Sequence, residues 1–255
     1  MNNGKIVAII QARMASSRLP GKVLLEIGDR PMLGWVVARV RQAKTVDEVV
    51  VATTLDPGDD PIEAYCREQD VAVVRGSHQD VLDRYYQAAS EHAADVVVRV
   101  TADCPVIDPE VIDHTVTRFL EEKVDFAANR LPPPWKRTYP IGLDTEVCTF
   151  AALERAWNEA TEKFEREHVM PYFYDQEGRF KTLLVNHDPD YGAMRWTVDT
   201  PQDLELLRRI IAYLDGRVDF SWYEILGLFR VHPELAEINA AIKAKLTQDV
   251  DTRKK

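Results

Sequence analysis

The sequence predicts an α/β fold with a mostly parallel central sheet covered by helices on both faces. Three observations lead there. Over the first 130 residues, short β-rich runs alternate with amphipathic helical patterns, the order that builds βαβ units with right-handed crossovers. The first run, Ile6–Ile10, is apolar throughout, as befits a strand of a parallel sheet buried on both faces. Helix starts carry their own chemistry: Asp108 stands before Pro109, and Thr200 before Pro201, each in position to cap a helix that opens on proline.

Taken in order, the predicted strands are Lys5–Ile10, Glu48–Thr53, Val71–Arg75, Asp95–Val100 and Val124–Ala128. Between them the spacing predicts helices over Pro31–Ala43, Pro61–Gln69, Gln79–Ala93 and Pro109–Glu122, the first with Leu33, Val36, Val37 and Val40 on one face. The pattern changes near Leu131. Residues 131–144, LPPPWKRTYPIGLD, hold too much proline for a regular helix and read as an ordered loop or arm. Helices are predicted over Phe150–Thr161 and Glu165–Tyr174, strands over Phe180–Val185 and Arg195–Val198, and a helix over Pro201–Leu214. From Ser221 the chain reads as helical, with a frayed end. The expected organisation is one domain over 1–246, with 129–147 as an inserted arm or flap, 216–246 as C-terminal helices and 247–255 as a tail.

Composition narrows the class. Lys plus Arg total 32 against 42 Asp plus Glu, a net charge of −10, which argues against a nucleic-acid surface while leaving room for a local anion pocket. No apolar run approaches the ~18 residues of a membrane span, and the apolar start is too short for a secretory signal. Cys66, Cys104 and Cys148 are odd in number and widely spaced, which fits neither a zinc motif nor a disulfide framework. A soluble cytoplasmic protein is the expectation.

Chemistry concentrates at strand ends, where open α/β sheets bind ligands. After the first strand, QARMASSRLPGK places Arg13, Arg18 and Lys22 among small residues. With backbone N–H groups from Ala15 to Ser17, these cations make a phosphate cradle; the same loop also reads as a surface loop paired with some of the chain's acids. It contains neither G-x-G-x-x-G nor G-x-x-x-x-G-K-[ST], so a dinucleotide fingerprint and a P-loop are unsupported. The strand in VVVRVTADCP delivers Asp103, and RWTVDTPQD delivers Asp199. Singly, each Asp reads as a turn or helix cap. Together with the cationic loop they specify a charge arrangement for a metal–triphosphate, because Mg²⁺ is held by one or two carboxylates plus substrate phosphates. Arg99, within its strand, faces a pocket or pairs with an acid. In RGSHQDVLD, Gly76 permits close backbone approach, Ser77 offers a hydrogen bond to a base or ribose, and Asp80 stands at a helix start. Asn129, Arg130, Asp144, Glu146, Glu167 and His168 punctuate apolar segments and are candidates for an acceptor pocket, with His168 either a base or a structural histidine.

These motifs together resemble a known family. Arg13, Ser16, Arg18, Pro20 and Lys22 match the R-x-x-S-x-R-x-P-x-K signature of sugar-nucleotide cytidylyltransferases. With RGSHQDVLDRYYQAA, RVTADCP, GLDTEV, EREHVMPYF and RWTVDTPQD, the chain is similar to the SpsF-like branch associated with spore-coat polysaccharide biosynthesis. It is related more distantly to the synthetases of CMP-activated acidic sugars, the acylneuraminate cytidylyltransferases among them. The resemblance spans about residues 5–215. It implies a Rossmann-like, GT-A-like three-layer nucleotide-diphospho-sugar transferase fold, CTP as donor, and Mg²⁺ held by Asp103 and Asp199. It implies nucleotide contacts from Gln11, Ala12, Arg13, Ser16, Ser17, Arg18 and Lys22 in the first loop. Thr53, then Gly76, Ser77, Asp80 and Val81, then Thr101 and Asp103 complete that nucleotide set. Arg13, Lys22, Asp103 and Asp199 take the catalytic positions. The acceptor is a small acidic sugar or a phosphorylated molecule, and a homodimer is expected by analogy, with 131–141 as its arm or as a flap. Two alternatives stay open at this point. A glycosyltransferase of similar fold would usually show an Asp-x-Asp pair, where this chain has the single Asp103; a non-catalytic nucleotide-binding protein would bind CTP without turnover.

Overall fold

The computed structural model describes residues 4–132 and 135–242. Strand β1 (Ile6–Gln11) leads through the cationic loop and a 3₁₀ turn, Lys22–Leu24, into a small hairpin, β2 (Glu26–Ile27) and β3 (Arg30–Pro31). The βαβ run follows as α1 (Met32–Val40), β4 (Glu48–Thr54), α2 (Asp60–Glu68), β5 (Ala72–Gly76), α3 (Val81–Glu91), β6 (Val96–Thr101), α4 (Pro109–Glu122) and β7 (Phe126–Ala128). Then come β8 (Glu146–Thr149), α5 (Phe150–Glu159), α6 (Lys163–His168), α7 (Pro171–Tyr174), β9 (Thr182–Leu184), α8 (Pro201–Tyr213), α9 (Trp222–Val231) and α10 (Leu235–Ile238).

Seven strands form the main sheet in the order β5-β4-β1-β6-β8-β7-β9. All neighbours pair in parallel except β8, which runs antiparallel to both β6 and β7. Alternation along β1 divides the core. Ile6, Ala8 and Ile10 pack with apolar residues of α1, α2, α4 and α8. Val7 and Ile9 pack on the other face with residues of α3, α5 and α7. The expected three-layer architecture is therefore present. Asp108 caps α4 by accepting from the N–H groups of Glu110 and Val111, and Thr200 caps α8 within a capping box closed by Asp203.

Three expectations need correction. The predicted arm ends inside the sheet, because Glu146–Thr149 is strand β8. A strand opening on glutamate is hard to read from pattern alone, but Glu146 lies directly across from Arg99 of β6 in the register, and the two form a buried ion pair. The predicted strand Arg195–Val198 makes only a single bridge, Arg195 with Ile141; the N–H of Val198 turns instead to the carbonyl of Asp103 at 2.9 Å. The predicted helix Glu165–Tyr174 is two short helices, separated at Val169, whose φ is 67°, and Pro171 lacks the donor to continue the ladder. Of the expected C-terminal helices, α9 and α10 are seen. Residues 243–246 and the predicted tail, 247–255, lie outside the described residues, as do 133–134 of the arm. The three cysteines are buried and free. Among the described residues no helix is long and apolar enough to cross a membrane.

Candidate active site

Gln11 and Thr101 are register partners at the carboxyl ends of β1 and β6, so the loops after these two central strands face each other. Between them opens a cleft of about 700 Å³. The first loop is held in shape by its backbone: Gly21, in the left-handed region at φ 69°, donates to the Met14 carbonyl at 2.9 Å, and Asp59 accepts from the Met14 N–H at 2.7 Å. A side chain at Gly21 would be strained there. The turn begun by Gly21 brings Lys22 inward while Arg13 stays exposed at the mouth.

Lys22 organises the floor of the cleft. Its Nζ donates to Asp103 Oδ2 at 3.0 Å, to Asp199 Oδ1 at 3.0 Å and to the Val198 carbonyl at 2.7 Å. The two strand-end aspartates, 96 residues apart in sequence, thus meet around one ammonium. Thr101 Oγ1 donates to Asp103 Oδ1 at 2.6 Å. Arg18 and Arg195 reach Asp199 Oδ2 at 2.9 and 2.8 Å. Asp203, fully buried, fixes Arg195 through its Nε at 2.9 Å and accepts from the Asp199 N–H at 3.0 Å. Burial alone would raise the Asp199 carboxyl, but Lys22, Arg195 and Arg18 overcome it and bring it down to about 2. Burial likewise opposes the Lys22 ammonium, yet Asp103 and Asp199 hold it above its usual value. Of the two readings of the loop, a phosphate cradle and cations paired with the chain's own acids, the second describes two of the three cations in this structure. Arg18 and Lys22 are paired within the chain, whereas Arg13 has no ion pair among the described residues.

The predicted residues separate into two groups. Gln11, Ala12, Arg13, Ser16, Ser17, Arg18, Lys22, Thr101, Asp103 and Asp199 line the cleft. Thr53, Gly76, Ser77, Asp80 and Val81 do not. Thr53 and Val81 are buried. A Cβ on Gly76 would lie 2.8 Å from Arg84 Cγ, so the close approach there is to Arg84. Ser77 accepts from the N–H groups of Gln79 and Asp80 at 3.3 and 3.2 Å. Asp80 caps α3 and pairs with Arg166 at 2.6 Å.

Asn129, Arg130, Asp144, Glu146, Glu167 and His168 do not line this cleft, although Arg99, the partner of Glu146, reaches Gln11 on its wall. Asn129 is buried and ties two backbone groups, Leu143 O and Thr145 N. Asp144 pairs with Arg137, and Glu146 with Arg99. Glu167 is exposed. His168 lies against Phe164 with ring centroids 4.5 Å apart and the planes tilted by 52°; burial, with Arg99, Arg130 and Arg13 nearby, outweighs Glu167 and holds its pKa below the usual histidine range. Sequence reading passed over His78, which lines the cleft from the loop before α3, and the Arg195–Asp203 support under Asp199. The His78 signal was present in RGSHQD. Arg195 stood four residues before Asp199 in a predicted strand, where alternation says nothing of such a clamp.

Comparison with known proteins gives a consistent result. The family model described as cytidylyltransferase matches residues 7–224. The chain is 32% identical over 238 residues to the spore coat polysaccharide biosynthesis protein SpsF of Bacillus subtilis, covering 91% of this chain and 96% of that one. It is 38% identical over 112 residues to the 3-deoxy-manno-octulosonate cytidylyltransferase of Geobacter metallireducens, 44% of this chain and 43% of that one. Among solved structures, a cytidylyltransferase from Leptospira borgpetersenii superposes with a TM-score of 0.85 at 35% identity, covering 91% of this chain and 96% of that one.

Proposed function

The chain belongs to the cytidylyltransferase family, and from that premise we propose that it transfers CMP from CTP to a sugar acid or a related small acidic acceptor, releasing pyrophosphate, in the making of a surface polysaccharide. The family and its relatives establish a CTP-dependent nucleotidyltransferase. The acceptor class follows the relatives, one described by polysaccharide biosynthesis and another by a sugar acid. The observation that carries the reading is the convergence of Asp103 and Asp199 on Lys22 beneath the cationic loop.

The donor set at that point fits Mg²⁺. Two carboxylates supply hard oxygens, the donor set by which Mg²⁺ is held together with substrate phosphates. Asp103 and Asp199 would hold the ion, which when bound neutralises phosphate charge and orients the attacking and leaving oxygens. The rest is performed by the chain. Arg13 grips phosphate oxygens from the loop, Arg18 adds positive charge beside them while it holds Asp199, and Lys22 meets the charge that builds as the acceptor oxygen attacks the α-phosphorus and pyrophosphate departs. No covalent enzyme intermediate is required, so positioning and charge stabilisation carry the rate.

A pyrophosphate-release screen of four nucleotides against sugar acids and sugar phosphates tests the proposal. The expected result is release with CTP and a sugar acid; a clear preference for UTP or ATP would overturn it.

A further inference from the structure

Each of the four carboxylate oxygens of Asp103 and Asp199 already has a donor. Asp103 Oδ1 accepts from Thr101 at 2.6 Å and Oδ2 from Lys22 at 3.0 Å. Asp199 Oδ1 accepts from Lys22 at 3.0 Å, while Oδ2 is held by Arg195 at 2.8 Å and Arg18 at 2.9 Å. Lys22 is the donor common to both carboxylates. With the Val198 carbonyl at 2.7 Å, its three N–H groups face three oxygens, the full capacity of an ammonium. The cluster is also neutral: Lys22, Arg18 and Arg195 balance Asp103, Asp199 and Asp203. A divalent cation joining the two aspartates needs the oxygens that Nζ now occupies, and it meets a like charge there with no net negative field to attract it.

A triphosphate changes both conditions. It brings negative charge to the cleft side of Lys22, whose stem is a flexible four-carbon chain ending in a point charge. We propose that Lys22 is an internal counter-cation that keeps divalent metal off the Asp103–Asp199 pair until the nucleotide draws the ammonium onto its phosphates. Metal arrival is thereby tied to substrate arrival. By linkage each then raises the affinity of the other, and part of that coupling resides in one side chain. The proposal rests on the reading of Asp103 and Asp199 as the metal-holding residues, and the experiment separates the two.

The probe is Mn²⁺, titrated by the loss of its free-ion electron paramagnetic resonance signal, without nucleotide and with CTP but no acceptor, where only the loss beyond that caused by the same CTP without protein is counted as protein binding. Nucleotide-free wild type is expected to bind Mn²⁺ weakly. Lys22→Met is expected to bind one Mn²⁺ without nucleotide at least about tenfold more tightly than wild type, within the usual span of coupling between sites. Adding Asp103→Asn to Lys22→Met should remove that gain. Mn²⁺ alone should raise the melting temperature of Lys22→Met and leave that of wild type unchanged. Lys22→Gln, which keeps a hydrogen-bond donor, serves if the methionine variant does not fold. Equal nucleotide-free Mn²⁺ affinity in wild type and the Lys22 variant, with CTP-dependent binding still abolished by Asp103→Asn, would overturn the counter-cation role and leave the metal site standing. CTP-dependent Mn²⁺ binding unaffected by Asp103→Asn would remove the metal site itself, and this proposal with it. Tight stoichiometric binding to nucleotide-free wild type would refute the proposal without any variant.

Discussion

Replacing Glu146 by Gln separates a structural role for this residue from a role in acceptor binding. Glu146 opens β8 and faces Arg99 of β6 across the sheet, with side chains only 5% and 13% exposed. Burial works against the Arg99 charge, and the Glu146 carboxylate keeps it protonated. Glu146→Gln therefore leaves a guanidinium buried without its counter-charge, a class of change that costs about 3–5 kcal/mol. Gln11 Oε1 would still accept from Arg99 Nη2 and Nε at 2.9 and 3.2 Å, which places the loss near the lower end, about 3 kcal/mol. At about 2–4 °C per kcal/mol for a chain of this size, the melting temperature should fall by about 6–12 °C. Urea denaturation supplies the matching free energy. Removing both charges, as Arg99→Met with Glu146→Leu, should recover much of the loss, because a buried pair is often replaceable by apolar groups of similar volume. A Glu146→Gln protein within about 0.5 kcal/mol of wild type, but with a raised acceptor KM, would refute the buried-pair reasoning and return Glu146 to the acceptor site.

Other expectations follow from the same geometry. Asp103→Asn and Asp199→Asn should fold, by circular dichroism, and lose at least about 10²-fold in kcat, the scale of losing a preorganised charge partner of the transition state; normal turnover in either would remove that residue from the mechanism. Arg13→Ala should raise KM for CTP by about 10- to 100-fold, the loss of one charged hydrogen bond, while the melt stays unchanged because Arg13 is exposed; a large stability loss with unchanged KM would contradict its place at the cleft mouth. His168 has a depressed pKa in the fold, so its stabilising contribution is complete above the unfolded value near 6.5 and is lost as pH falls through the folded value. His168→Gln should flatten that part of the stability–pH curve, and an NMR titration placing the ring at or above 6.5 would show the sign to be wrong.

Much of the fold was legible because its signals are local. The apolar strands, the Asp108–Pro109 and Thr200–Pro201 helix starts, and the run of βαβ units depend on neighbours a few residues apart, and α4 was found with the limits predicted. The hairpin β2–β3 and strand β8 escaped notice, since two-residue strands have no period and β8 begins on a charge whose partner lies 47 residues earlier. For the site, the residue types were legible and their grouping was not. Asp103 and Asp199 stood out as carboxylates at strand ends, and Arg13, Arg18 and Lys22 as a basic loop.

By itself, then, the sequence determined the α/β class, the order of its main elements and the chemistry collected at the carboxyl edge of the sheet. Only the tertiary structure decided which charges meet. Asp80, Asp144 and Glu146 are engaged by Arg166, Arg137 and Arg99, and Lys22 sits between two aspartates. The physical reason is that a charge is assigned by the nearest opposite charge in space, within about 4 Å, and pairings across 81 and 177 residues leave no trace in local pattern.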